Sequence, residues 1–263
     1  MRKKITIPEI IAMKGTERIS CITAYDHAFA RFAQQSGIDL ILVGDSLGMV
    51  FQGKETTLEV TCEQMIYHSR IVANAVSIPV VIADLPFLSS RISIENLVEN
   101  SLRLITEGRA HGVKIEGASD FILKGINHLT SSGVPVMGHL GLTPQSYHQL
   151  GGFKKQGLNS SDAEVMLNNA KSLEKSGVFS IVLESIPESL GELITNSVSI
   201  PTIGIGAGAG CDGQVLVIND LLGMDERFSP SFVKKYANLH EIITTALSKY
   251  NSEVKNGAFP TKK

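Results

Sequence analysis

Several acidic and basic side chains stand where short apolar runs stop, and their types suit the handling of an oxygen-rich anion. Asp45 and Ser46 follow Val43-Gly44, Asp84 ends the run from Ile78, and Lys114 and Glu116 lie within Gly112 to Glu116. His139 follows Met137-Gly138, and Glu184 follows Ile181-Val182-Leu183. The carboxylates of Asp45, Asp84 and Glu116 suit Mg²⁺, a hard cation that binds through one or two carboxylates and keeps other positions for water or substrate. Taken singly, Asp45 and Asp84 read equally well as caps of the helices that follow. A buried lysine needs a partner. Lys114 is either ion-paired with Glu116 or offers its ammonium to a substrate carboxylate or a developing oxyanion. Glu184 is a candidate base, because an apolar setting makes a carboxylate more basic; its plainer reading is an acid at a helix N-terminus. His139 reads as a metal ligand, an acid-base group or a packing histidine, with packing or support of a ligand preferred.

These side chains cooperate only if the chain brings them to one place. Eight β-rich runs recur: Ile19 to Tyr25, Asp39 to Gly44, Ile78 to Asp84, Gly112 to Glu116, Val134 to Gly138, Phe179 to Glu184, Ile200 to Ile205 and Gln214 to Val217. Most are continuously apolar rather than alternating, the mark of parallel strands covered on both faces. Helical spacing in Met65, Ile66, Ser69, Val72 and Val76, and in Ile94, Leu97, Val98, Leu102 and Ile105, supplies the cover. Ser161 to Glu164 has the capping-box pattern, Pro187 suits a first helical turn, and Thr6-Ile7-Pro8-Glu9 suggests a helix before the first strand. A last helix is expected over Ser229 to Tyr250, with Phe232, Tyr236, Leu239, Ile243 and Leu247 on one face.

Eight βα units in 263 residues match a (β/α)₈ TIM barrel, with the extra N-terminal helix closing its floor. The expected organisation is one barrel domain over residues 1–263, of which 251–263 form a polar tail. In such a barrel the strand ends converge on one mouth, and that convergence favours a site over scattered caps.

Composition narrows the partners. With 19% charged residues, a net charge of −2 and scattered Lys and Arg, there is no footprint for nucleic acid or a membrane surface. No apolar run approaches the roughly 20 residues that span a bilayer, and no signal-type stretch follows Met1 to Lys4, so a cytoplasmic protein is expected. Cys21, Cys62 and Cys211 are an odd set without C-x-x-C spacing, read as reduced and structural. Gly208, Gly210 and Gly213 fit G-x-G-x-x-G, but a strand follows where a dinucleotide site needs a helix, so a tight loop is the preferred reading.

Taken together, Thr23 to Asp26, Val43 to Met49, Ala83 to Phe87, Val113 to Gly117, Gly138 to Gln145 and Gly204 to Gly208 resemble the ketopantoate hydroxymethyltransferase family over nearly the whole chain. The resemblance implies a homodecameric barrel enzyme that uses Mg²⁺ and 5,10-methylenetetrahydrofolate to transfer a hydroxymethyl group to 3-methyl-2-oxobutanoate, forming 2-dehydropantoate. It matches Asp45 and Asp84 to metal ligands, Glu116 to a carboxylate of the same metal and Glu184 to the proton acceptor. Asp45, Ser46, Asp84 and Lys114 match the keto-acid contacts. The chain departs from the pattern at Glu59, Ser90, Lys155 and Leu158, none of them at the metal or base. The alternative enzyme is a Mg²⁺-dependent C–C lyase of the phosphoenolpyruvate mutase or isocitrate lyase type, although no lyase-type cysteine motif is present. A non-catalytic metabolite-binding protein is the third reading.

Overall fold

The computed structural model describes residues 3–225 and 230–261. Two compact units divide the chain, Met1–Val215 and Leu216–Lys263. The first contains nearly all of a closed parallel barrel whose strands follow sequence order. These are β1 Ile19–Thr23, β2 Leu40–Val43, β3 Val80–Asp84, β4 Gly112–Glu116, β5 Val136–Gly141, β6 Ser180–Glu184, β7 Thr202–Ile205 and β8 Gly213–Leu216. Their apolar residues are buried almost throughout, as two-sided cover requires.

The helices of the first unit are α1 Ile7–Ala12, α2 His27–Gln35, α3 Leu47–Val50, α4 Cys62–Ala75, α5 Ile94–Thr106, α6 Asp120–Ser131, α7 Tyr147–Leu150, α8 Ser160–Lys175 and α9 Glu188–Ser197. α1 starts where Thr6 N and Oγ1 donate to the Glu9 carboxylate, at 2.7 and 2.8 Å. It delivers Ile10, fully buried, into one apolar cluster with Ile19, Leu40, Val80, Ile82 and Ile203 of the strands. The barrel floor is thus closed by α1, and burying one such isoleucine contributes about 1.5–3 kcal/mol. α4 is opened by a Thr61–Gln64 capping box, and it buries Met65, Ile66, Ser69 and Val72 as its spacing predicts.

Three local expectations are corrected, and the preferred reading of the glycine run holds. β5 runs on to Gly141 rather than stopping at Gly138, because His139 meets the carboxylates of Glu116 and Glu184 on the flanking strands and does not break the strand. α8 is capped two residues ahead of the proposed capping box, since the Asn159 side chain accepts from Asp162 N. α5 buries Leu97, Ser101 and Leu104, while Leu102 is exposed; Ser101 stays inside because its hydroxyl donates to Leu97 O at 2.7 Å. The glycine run packs against α9: a Cβ on Gly208 would lie 2.3 Å from Glu188 Cγ, and one on Gly210 2.9 Å from Glu192 Cβ. With β8 following it, that loop serves close approach, as preferred above.

The second unit contains α10 Ile218–Leu221 and α11 Leu239–Lys255. α11 is the expected last helix, displaced toward the C-terminus by the Asn238 cap, which accepts from Glu241 N. Phe232 and Tyr236 therefore precede it, Ile243 and Leu247 are exposed, and residues 251–255 of the expected tail are helical. Ser229, the expected start, lies outside the described residues, as do Met1, Arg2, Lys262 and Lys263.

Candidate active site

The register of the strands climbs around the barrel and lines up the polar residues. Asp84 is the Cα partner of Lys114, Glu116 of His139, and Gly141 of Glu184. Lys114 and Glu116 are two apart on β4, so both side chains leave one face of the strand. Asp45, Asp84, Lys114, Glu116 and His139 are all buried, at the C-terminal ends of their strands.

Asp84 sits at the centre of one half of the cluster: its Oδ2 accepts from the Asp45 backbone N–H at 3.1 Å and its Oδ1 pairs with Lys114 Nζ at 2.9 Å. His139 joins this half to the other. Its Nδ1 lies 3.4 Å from both Lys114 Nζ and Glu116 Oε1, and its Nε2 lies 3.2 Å from Glu184 Oε2. Burial and the Lys114 charge act to lower its pKa, but the hydrogen bonds to Glu116 and Glu184 outweigh them and raise it to about 9. A charged imidazole is thus favoured between the Glu116 and Glu184 carboxylates, as ion-pair contacts at Nδ1 and Nε2. Burial opposes charge on Lys114 as well, yet Asp84, Glu116 and Asp45 hold its pKa above the ordinary value. For Glu116, burial pushes upward and His139, Lys114 and the Gln145 amide pull the carboxyl down overall. Asp45 goes the other way: burial and then the Asp84 and Glu116 charges raise it well above the usual carboxylate range.

Each sequence-selected residue is thus accounted for. Asp45, Asp84, Lys114 and Glu116 form one buried cluster. Glu184 joins it through His139, and its side chain is 19% exposed, so its surroundings are a histidine and an opening rather than an apolar pocket. Ser46 stands beside Asp45, and its Oγ meets the Tyr25 hydroxyl at 2.8 Å. His139, for which packing or support was preferred, lies between Glu116 and Glu184, with one ring nitrogen toward each carboxylate.

Three residues escaped selection. Tyr25 is held from behind by His68, whose Nδ1–H donates to the Tyr25 carbonyl at 2.7 Å. Gln145 donates its backbone N–H to Glu116 Oε2 at 3.0 Å and its Nε2 to Asp45 Oδ2 at 2.9 Å and Leu85 O at 3.0 Å. In the sequence it closes the family-like segment Gly138 to Gln145, but as a polar residue in the turn after Thr143-Pro144, where turns are ordinarily polar, it was not singled out.

The backbone also shapes the opening around Glu184. Ser185 adopts φ +48°, a left-handed conformation rare for a residue with a side chain. Gly141, at φ +94°, lets β5 pass so close to β6 that a Cβ there would lie 2.1 Å from the Glu184 carbonyl oxygen.

A closed (β/α)₈ barrel with a buried carboxylate, lysine and histidine cluster at its C-terminal strand ends belongs to the barrel enzymes, whose chemistry sits at that end. Comparison with known proteins gives the family. The ketopantoate hydroxymethyltransferase family model matches residues 4–262. The 3-methyl-2-oxobutanoate hydroxymethyltransferase of Pelobacter propionicus is 52% identical over 263 residues, covering 100% of this chain and 97% of that one. The enzyme of that name from Clostridioides difficile is 51% identical over 247 residues, covering 94% and 90%. This chain belongs to the ketopantoate hydroxymethyltransferase family. Among solved structures, 2,3-dimethylmalate lyase of the PEP mutase/isocitrate lyase superfamily matches with a TM-score of 0.64 at 13% identity, covering 98% of this chain and 88% of that one. A phosphonopyruvate hydrolase solved with oxalate and Mg²⁺ matches with a TM-score of 0.62 at 12% identity, covering 96% and 88%. At such identity these show the fold alone.

Proposed function

We propose that the protein transfers a hydroxymethyl group from 5,10-methylenetetrahydrofolate to 3-methyl-2-oxobutanoate, forming 2-dehydropantoate. The observation that carries the reading is the joining of a buried carboxylate and lysine cluster to a partly open carboxylate, Glu184, through His139. The names of the family's relatives identify the keto acid and the transferred group.

The donor set fits a divalent cation. Among the described residues no three His, Cys, Asp or Glu side chains enclose a metal by themselves. Mg²⁺, however, takes one or two carboxylates and fills the rest of its shell with water and substrate. Asp45 and Asp84 would hold it, with Glu116 the third carboxylate of the same cluster. Asp45, Asp84 and Glu116 bring buried carboxylates, hard oxygen donors, to neighbouring strand ends, the ligand type that Mg²⁺ takes. When bound, such an ion supplies Lewis-acid polarisation of the carboxylate and carbonyl oxygens of the keto acid.

The chain's own groups do the rest. Asp45, Ser46, Asp84 and Lys114 bind and orient the keto acid. Glu184 removes the proton from C3, the carbon beside the carbonyl, while His139 holds its carboxylate in place. The Lys114 ammonium, kept charged by its carboxylate neighbours, stabilises the oxyanion that develops at the carbonyl. C3 then forms a bond to the methylene carbon carried by the folate as the first of that carbon's two C–N bonds breaks; water supplies the hydroxyl that replaces the second C–N bond, and the proton taken from C3 and one from water go to the two nitrogens of the released tetrahydrofolate. A decameric assembly and a cytoplasmic setting belong to the same proposal, and light scattering on the purified protein tests the first.

Mixing protein, keto acid, methylenetetrahydrofolate and Mg²⁺ tests the activity. Product is expected only with all components present and is abolished by a chelator. Turnover that persists with excess chelator would contradict the metal role, and keto-acid binding without turnover would favour a binding protein.

A further inference from the structure

Gln145 touches more of the candidate site than any role in the proposed chemistry requires. It comes from the turn after β5, yet its side chain crosses to the ends of β2 and β3 and its backbone N–H reaches the end of β4. Both Asp45 Oδ2 and Leu85 O are acceptors, so the atom between them is the amide nitrogen, and the orientation of the amide is fixed by its partners. Its Oε1 is left buried with no hydrogen-bond partner among the described residues. A buried carbonyl without a donor is costly.

We infer that Gln145 is a positioning residue for the divalent cation: it holds the Asp45 and Glu116 carboxylates in fixed orientation and leaves its own Oε1 as a buried acceptor for an O–H donor brought into the site. The inference rests on the cation reading above and goes beyond it, since Gln145 need not be a ligand itself. Residues that orient ligands in this way characteristically contribute 10- to 100-fold to metal affinity.

Mn²⁺ is the probe, followed by electron paramagnetic resonance and titration calorimetry, in wild type, Gln145→Met and Gln145→Asn. The methionine keeps the volume and the backbone bond to Glu116 but removes the amide; the asparagine keeps an amide one methylene too short to span both partners. Mn²⁺ affinity is expected to fall about 10- to 100-fold in Gln145→Met and by less in Gln145→Asn. C3 proton exchange of the keto acid should recover to within about threefold of wild type at saturating Mn²⁺, a split in the cation dependence that a merely structural defect would not give. Mn²⁺ affinity within twofold of wild type in folded Gln145→Met overturns the inference and leaves the cation reading standing. If that variant fails to fold, Gln145→Asn decides by the same criterion. Wild type that takes up no Mn²⁺ overturns both.

Discussion

Gly141→Ala is the sharpest test of how the fold positions the base. The glycine has φ +94°, and a methyl placed on it would sit 2.1 Å from the Glu184 carbonyl oxygen and 2.8 Å from Ile186 Cγ2. Real Cβ atoms are essentially never found within 3.0 Å of a neighbour, so β6 must give way by about 1 Å at the residue that carries the carboxylate. Backbone strain at such a φ costs about 1–3 kcal/mol. Weakening the bond from Leu142 N to Glu184 O, now 2.8 Å, adds about 1 kcal/mol. The sum of about 2–4 kcal/mol corresponds to a fall in Tm of roughly 5–15 °C in a chain of this length. A misplacement of about 1 Å costs a reaction on the order of 100-fold. C3 proton exchange of 3-methyl-2-oxobutanoate into D₂O, followed by NMR, should therefore slow about 100-fold, with keto-acid binding retained. Gly133→Ala is the control, because φ is +84° there but a Cβ would meet nothing within 4 Å. It should lose stability through backbone strain and exchange at the wild-type rate. Wild-type exchange in Gly141→Ala would refute the link between this close approach and the placement of Glu184.

Further outcomes follow from the same geometry. In chelator-treated protein, the pairing that raises His139 from 6.5 to about 9 contributes up to about 3 kcal/mol. A raised pKa places that stability fully below pH 6.5 and removes it as pH rises through about 9, so urea unfolding at pH 6 and pH 9.5 should show a loss in wild type that His139→Asn lacks. Lys114→Met leaves the buried Asp84 carboxylate without its cation and should cost about 3–5 kcal/mol, and added Mg²⁺ should restore more stability to it than it adds to wild type; an unchanged Tm would contradict the pairing. Tyr25→Phe removes the hydroxyl that meets Ser46 and should raise the keto-acid KM several-fold, by about 1 kcal/mol, with kcat little changed.

The barrel was legible because strands buried on both faces leave continuous apolar runs, and each of the eight runs became a strand. Ends were less so: β5 continues through Gly138-His139, which interrupt an apolar pattern, because His139 meets carboxylates on the flanking strands. The face of α5 was misread because apolar spacing alone does not reveal that Ser101 returns its hydroxyl to the helix backbone while Leu102 faces outward. Within the site, Asp45, Asp84, Lys114 and Glu116 could be grouped from strand ends and side-chain periodicity. The surroundings of Glu184 could not, since its histidine partner depends on β5–β6 register. Gln145 was hidden for the same reason: its partners lie 100, 60 and 29 positions away in the chain.

The central claim is that Glu184 takes the C3 proton of a keto acid held at Asp45, Asp84 and Lys114. Exchange of that proton into D₂O, measured by NMR with Mg²⁺ and without folate, tests it directly in wild type and Glu184→Gln. Wild type should exchange, and the variant should bind Mn²⁺ and keto acid while exchanging slower by about 10²- to 10⁴-fold. Exchange at the wild-type rate in Glu184→Gln would contradict the assignment of the base.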